Sequence, residues 1–180
     1  MELKSALDQL GLLQKKLYAY QTASSSLYLD GVTVAPKDTS EGRGVALGIL
    51  AGESQKLMTA PETGELLAFL ADQKENLSFV EQRQVEELKR SYDRLSRIPA
   101  DEYMDYAMLT NEASDVWHRA KESSDFTLFA PVLEKLVAYN RKFAGYYDSS
   151  KKPYDALYTD LILQRERGRI ISFCAKDIWT

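Results

Sequence analysis

The stretch Pro99–Tyr147, PADEYMDYAMLTNEASDVWHRAKESSDFTLFAPVLEKLVAYNRKFAGYY, decides the fold class. Its apolar and small residues recur at steps of three and four, which is the period of an α-helix face and not of a strand. The first predicted helix begins after Pro99, a residue suited to a first helical turn. Its predicted stripe is Tyr103, Tyr106, Thr110, Ala113, Trp117 and Ala120.

A turn at residues 123–125 separates this helix from a second one, for which Asp125 is the predicted N-cap. Pro131 lies inside the second helical pattern, so we expect a kink there or a start a few residues later. The predicted stripe of the second helix is Phe126, Phe129, Leu133, Leu136, Val137, Asn140, Phe143 and Tyr147.

The preceding sequence predicts four more helices, over residues 2–28, from Ser40 to about residue 59, over residues 62–75, and after Ser78. Residues 29–39, which contain β-branched residues and Pro36, are predicted to form a loop or a short extended segment. Ser78 and Glu81 have the spacing of a capping box. The glycines of the second helix predict the close approach of another backbone; they are Gly42, Gly44, Gly48 and Gly52.

These patterns predict an all-α antiparallel bundle of about six to seven helices. The expected organisation is one domain over residues 1–160, followed by a divergent tail over residues 161–180. The tail holds three arginines beside acidic residues, and we favour an ordinary last helix, or no evolved role, over a basic binding tail.

Composition restricts the class of partner. The 180 residues carry a net charge of −4, which argues against a nucleic-acid partner. No apolar run approaches the ~20 residues of a membrane span, so no membrane partner is expected. The single cysteine, Cys174, fits a reducing compartment, and residues 1–30 show no signal-peptide pattern. The expected location is the cytoplasm.

The chain contains one histidine, His118, so a His-Glu-x-x-His zinc site cannot be built from it. Asp115 and Glu122 lie three residues before and four after His118, within reach on a helix. These three residues could bind a metal weakly or form an acid–base pair, although ordinary surface ion pairing is the favoured interpretation. Cys174 has no histidine nearby in sequence. We therefore assign no catalytic residue, no cofactor-binding residue and no metal ligand.

Several runs resemble the N-terminal part of the carboxypeptidase Taq family of thermostable metallocarboxypeptidases. They span about residues 3–160 in the family's order. The clearest run is WHRAKESSDF at residues 117–126, continuing through Pro131 and residues 139–142. The others are SEGRG at residues 40–44, RSYD at residues 90–93 and PYDAL at residues 153–157.

The resemblance implies an all-α fold in which N-terminal helices wall a deep substrate groove. It also implies that full-length relatives are zinc- or cobalt-dependent exopeptidases, commonly homodimers, that remove C-terminal residues. Leu29 and Ala35 depart from the Trp and Met that are frequent in relatives at these positions. The match disappears after Asp160, where relatives continue toward their zinc helix, so no catalytic or metal-binding residue carries over.

Three hypotheses follow. The first is a truncated carboxypeptidase relative that is inactive alone and has no cofactor of its own. The second is a stand-alone helical interaction module that pairs with itself as a homodimer. The third is a subunit that completes a peptidase in trans, with the zinc helix on a separate catalytic chain.

Overall fold

The computed structural model describes residues 2–36 and 39–158, and this part of the chain is all-α, with no strand. The predicted fold class is therefore confirmed. Residues 153–158 are also helical. The long helices are α1 (Leu3–Thr33), α2 (Ser40–Thr59), α3 (Pro61–Asp72), α4 (Phe79–Leu95), α5 (Ala100–Ser123) and α6 (Ala130–Tyr147).

The chain divides into two compact units, with the boundary between Leu136 and Val137, inside α6. The first unit contains α1 to α5 and the start of α6. The prediction of a single domain over residues 1–160 stays a prediction. The predicted tail, residues 161–180, lies outside the described residues.

Helix α1 is longer than predicted, because residues 29–33 continue the helix that was expected to end at Tyr28. Thr33 Oγ1 donates to the carbonyl of Leu29 at 2.6 Å, and the Ala35 N–H donates to the carbonyl of Asp30 at 2.9 Å. These bonds satisfy carbonyls of the last turn. The β-branched residues lower helix propensity by only tenths of a kcal/mol each, roughly, and packing against α2 outweighs that cost.

The capping box of α4 is confirmed. The N–H of Ser78 donates to Glu81 Oε2 at 2.7 Å, and the N–H of Glu81 donates to Ser78 Oγ at 3.4 Å. Helix α3 begins at Pro61 and ends at Asp72, three residues before its predicted end. A 3-10 turn, Lys74–Asn76, joins it to α4.

The turn after α5 lies where its sequence predicts, but Asp125 does not cap the second long helix. Ser124 takes the left-handed conformation with φ 54°, and the Asp125 N–H donates to the carbonyl of Ala120 at 2.9 Å. Asp125 caps the 3-10 turn Phe126–Leu128, so α6 itself begins later, with Pro131 in its first turn. Hydrogen bonds from the Thr127 side chain and backbone lower the pKa of the Asp125 carboxyl below its usual 3.8.

The main core joins α1, α3 and α4. Leu67 and Leu70 on α3 are at most 1% exposed, and Leu10 of α1 is 2% exposed. Removing a leucine side chain of this kind from water contributes roughly 1.5–3 kcal/mol. The buried cluster consists of Ala6, Leu10, Leu66, Leu67, Leu70, Leu77 and Val85.

Helices α2 and α5 make the most extensive helix–helix contact among the described elements. Gly44, Gly48 and Gly52 are buried at steps of four along α2. A Cβ atom at Gly48 would lie 2.6 Å from Met108 Cγ, and one at Gly44 would lie 3.1 Å from Asn111 Nδ2. The glycines therefore receive side chains of α5, rather than the bare backbone that their crowding predicted.

The predicted stripe on α5 is correct at Ala113 and Ala120, which are buried, and wrong at two positions. Thr110 is exposed and Trp117 is 43% exposed, whereas Leu109 is buried. The glycine face of α2 decides which side of α5 turns inward, and a periodic pattern within α5 cannot show this.

The glycine contacts generate a stability prediction. We expect Gly48→Ala to lower the free energy of unfolding by about 1 kcal/mol, because overpacking against Met108 outweighs the gain in helix propensity. The matched control is Gly11→Ala in α1, where a Cβ meets nothing within 4 Å. That change should raise stability by up to about 1 kcal/mol. Urea unfolding followed by circular dichroism measures the free energy of unfolding of both variants. If both changes raised it, the close packing of Gly48 against Met108 would be contradicted.

The capping box generates a pH prediction. Hydrogen bonds from the Ser78 side chain and backbone hold the pKa of Glu81 below its usual 4.5. A carboxyl whose pKa falls on folding adds stability above its unfolded pKa, and this stability is lost as the pH falls through the folded value. We expect the advantage of the native chain over Glu81→Gln, which keeps a hydrogen-bond acceptor, to disappear as the pH is lowered below 4.5. Melting temperatures across this range measure the difference, and a pH-independent difference would contradict the assignment.

Candidate functional site

A groove of about 630 Å³ lies between α1, α2 and α5. Its volume is within the range of roughly 300–1,000 Å³ typical of ligand sites. The lining side chains are small, apolar or neutral and polar, and none carries a charge at neutral pH. They are Gln21, Ser24, Ser25, Tyr28, Leu29, Leu47, Ala51, Ala107, Thr110 and Asn111.

Each helix contributes to the groove at helical spacing. The α1 residues follow steps of three and four from Gln21 to Leu29, so they lie along one face of that helix. The extension of α1 beyond Tyr28 adds Leu29 to this face. Tyr28 and Leu29 form an exposed apolar rim, 54% and 61% exposed. Ala51 and Ala107 have short side chains that do not narrow the groove.

A polar cluster adjoins the groove and contains a nearly buried cation. The Arg43 side chain is 9% exposed, and its Nη2 lies 3.4 Å from both carboxylate oxygens of Asp115 on α5. Arg43 Nε donates to Asn111 Oδ1 at 3.3 Å. The Ser40 hydroxyl donates to Asp115, and Asn111 Nδ2 donates to the carbonyl of Ser40 at 3.2 Å. Because Asn111 also lines the groove, this cluster fixes one of the groove's polar side chains.

Gly31 brings α1 into the same cluster. A Cβ at this position would lie 2.4 Å from Arg43 Nε and 2.6 Å from its Cζ. The guanidinium therefore packs directly against the α1 backbone, where only glycine leaves enough space. Arg43 thus connects the three helices that form the groove.

No local sequence pattern marks Arg43 as a key residue. SEGRG at residues 40–44 carried part of the family resemblance, but nothing in it indicated a buried ion pair. The partner, Asp115, lies 72 residues further along the chain. Local spacing had instead grouped Asp115 with His118.

The structure does not build a metal site around His118. This residue is exposed on α5, with its ring edge-on to Trp117 at 4.8 Å between centroids. Asp115 is engaged by Arg43 and Ser40. Within residues 2–36 and 39–158, no group of three His, Cys, Asp or Glu side chains could hold a metal ion. The described residues therefore do not fit the metal centre that the resemblance implies for full-length relatives.

Two other candidates from the sequence are Glu122 and Cys174. Glu122 is exposed near the end of α5, and Lys121 Nζ lies 5.0 Å above the Trp117 ring. Cys174 lies outside the described residues.

In the part of the chain that the structure covers, no helix is both long enough and apolar enough to span a bilayer.

Comparison with known proteins establishes the family. The family model described as Carboxypeptidase Taq (M32) metallopeptidase matches residues 9–168, most of the chain. The chain belongs to the carboxypeptidase Taq family. Carboxypeptidase 1 of Bacillus subtilis (strain 168) is 35% identical over 145 residues, which are 81% of this chain and 29% of that protein. Thermostable carboxypeptidase 1 of Pyrococcus furiosus is 32% identical over 143 residues, 79% of this chain and 28% of that protein.

A solved structure supports the helix arrangement. The crystal structure of BsuCP superposes with a TM-score of 0.79 at 34% identity, covering 84% of this chain and 30% of that one. The chain thus spans about 30% of the length of these three relatives. What it shares with the BsuCP structure is a set of packed helices.

The polar cluster predicts that the effect of Gly31→Ala on the free energy of unfolding has opposite signs with and without the Arg43 side chain. We expect Gly31→Ala to destabilise the native chain by roughly 1–3 kcal/mol, because the added methyl group displaces the Arg43 side chain. In an Arg43→Ala background we expect Gly31→Ala to stabilise by up to about 1 kcal/mol, since alanine is the better helix former. Urea unfolding of the four proteins in this double-mutant cycle measures the coupling. Additive effects would show that Arg43 does not pack on α1.

Proposed function

We propose that this chain forms a groove-bearing helical wall of a metallocarboxypeptidase, and that residues 1–180 alone do not hydrolyse peptides. Family membership and the superposition on BsuCP support the first part. The observation that carries the second part is the single histidine of the chain. A helical zinc peptidase takes two histidines one turn apart, a glutamate beside them as general base, and a third protein ligand.

The chemistry of the groove supports a binding role rather than a catalytic one. Its hydroxyl and amide side chains can donate and accept hydrogen bonds, but none is paired with an imidazole or a carboxylate base in the manner of an activated nucleophile. Asn111 is held by Arg43 and Ser40, so its amide has a set orientation. A rigid polar wall positions a bound chain without reacting with it.

A second candidate function is a helical interaction module that pairs with itself. The observations that favour it are the exposed apolar surface at Tyr28 and Leu29 on α1 and the exposed side chains of Val45 and Ile49 on α2, each 48–61% exposed. Exposed apolar side chains gain free energy when another protein surface covers them. A third candidate is a subunit that completes a peptidase in trans, and the same surface supports it.

We propose no nucleic-acid partner and no membrane partner for this chain. We propose the cytoplasm as the location of the chain.

The activity test uses one peptide in two forms, with a free or an amidated C-terminus, incubated with added zinc or cobalt. We expect the chain to release no C-terminal residue above the protein-free blank from either form, since no metal-binding group of three is present among its described residues. Bacillus subtilis carboxypeptidase 1, assayed in parallel, is the positive control. Metal-dependent release from the free form that disappears in His118→Ala would contradict the proposal.

A further inference from the structure

We propose that Met104 and Met108 form a reversible oxidation site, at which a hydroperoxide converts their thioethers to sulfoxides and thereby loosens the packing of α5 on α2. The observation that carries it is the position of both side chains. They are half-buried and lie over glycines of α2, at a contact that leaves little free space.

The two methionines lie four residues apart, so they share one face of α5. A Cβ atom at Gly48 would lie 2.6 Å from Met108 Cγ, 3.2 Å from Met108 Sδ and 3.4 Å from Met104 Cγ. A Cβ atom at Gly52 would lie 3.7 Å from Met104 Sδ. Both sulfur atoms therefore pack against the glycine face of α2.

Partial exposure makes both methionines accessible to a small oxidant. Met104 and Met108 are half-buried, whereas Met58, at the other end of the same glycine-containing helix, is 6% exposed. A hydroperoxide in solution therefore reaches the two α5 side chains more readily than it reaches Met58.

The reaction needs no group of the protein besides the thioether. A sulfur lone pair attacks one peroxide oxygen, so that an S–O bond forms and the O–O bond breaks. The sulfur loses two electrons and the peroxide gains them, while the proton of the transferred hydroxyl group passes to the leaving oxygen to give water or an alcohol. Methionine sulfoxide reductases reverse the step. In that reversal a dithiol becomes a disulfide and the sulfoxide oxygen leaves as water.

Oxidation at this position weakens the contact between the helices. A sulfoxide is polar and chiral, and it disrupts interfaces that are built on methionine. The glycines offer no side chain to the new oxygen, and N–H groups inside a helix are already bonded to carbonyls four residues earlier. The effect extends to the groove, because Ala107, which lines it, directly precedes Met108, and Ala51 lines it from α2.

The test treats two full-length variants with hydrogen peroxide, both in a Cys174→Ser background so that no thiol reacts. Met58→Leu keeps the proposed site, and the matched control Met104→Leu/Met108→Leu removes it by a volume-conserving exchange that cores tolerate. Peptide mass spectrometry measures oxidation at each methionine, and urea unfolding measures the equilibrium constant for unfolding. We expect oxidation to raise this constant about tenfold in Met58→Leu and to leave the control nearly unchanged.

Two further measurements on Met58→Leu decide the outcome if the control does not fold. A methionine sulfoxide reductase with a dithiol should restore the stability of the oxidised protein. Oxidation should also accelerate hydrogen exchange more in α2 and α5 than in α3 and α4. Equal destabilisation of both variants, an oxidised site without loss of stability, or uniform acceleration of exchange would overturn the inference. So would oxidation of Met58 before Met104 and Met108 in the Cys174→Ser chain.

Discussion

The Arg43 guanidinium is the contact on which the groove depends. It is nearly buried, it faces Asp115 and Asn111 on α5, and it packs on the α1 backbone at Gly31. A cation with so little access to water must be paired, since leaving one partner unpaired in such a site costs roughly 3–5 kcal/mol. Arg43 therefore joins helices α1, α2 and α5 beside the groove.

The other contacts of the first unit differ in strength. The leucine core of α1, α3 and α4 supplies apolar burial, and the glycine face of α2 allows α5 to approach closely. The ion pairs along α4 add less. Lys89 and Asp93, for example, are 44% and 52% exposed, and pairs of this kind contribute about 0–1 kcal/mol. Lys89 and Asp93 therefore lie on a solvated face of α4.

Family and chemistry point in different directions for this polypeptide. The helices are those of the carboxypeptidase Taq family. The residues that give a helical metallopeptidase its reaction are two histidines and their neighbours, and residues 1–180 hold one histidine, which sits exposed beside Trp117. Residues 1–180 can share the family's helices without holding two histidines for a metal site. Packing depends on the shape of helix faces, whereas catalysis depends on a few particular side chains.

Local sequence determined the elements of this protein: helical periodicity, the Ser78–Glu81 capping box, an irregularity of α6 near Pro131 and the impossibility of a two-histidine site. Each of these depends on residues a few positions apart, or on a count. Tertiary structure alone decided the extension of α1 to Thr33, the inward face of α5 and the pairing of Arg43 with Asp115 rather than of Asp115 with His118. Those outcomes depend on which helix faces meet, and contacts between residues some 70 positions apart leave no mark on the periodicity of either segment.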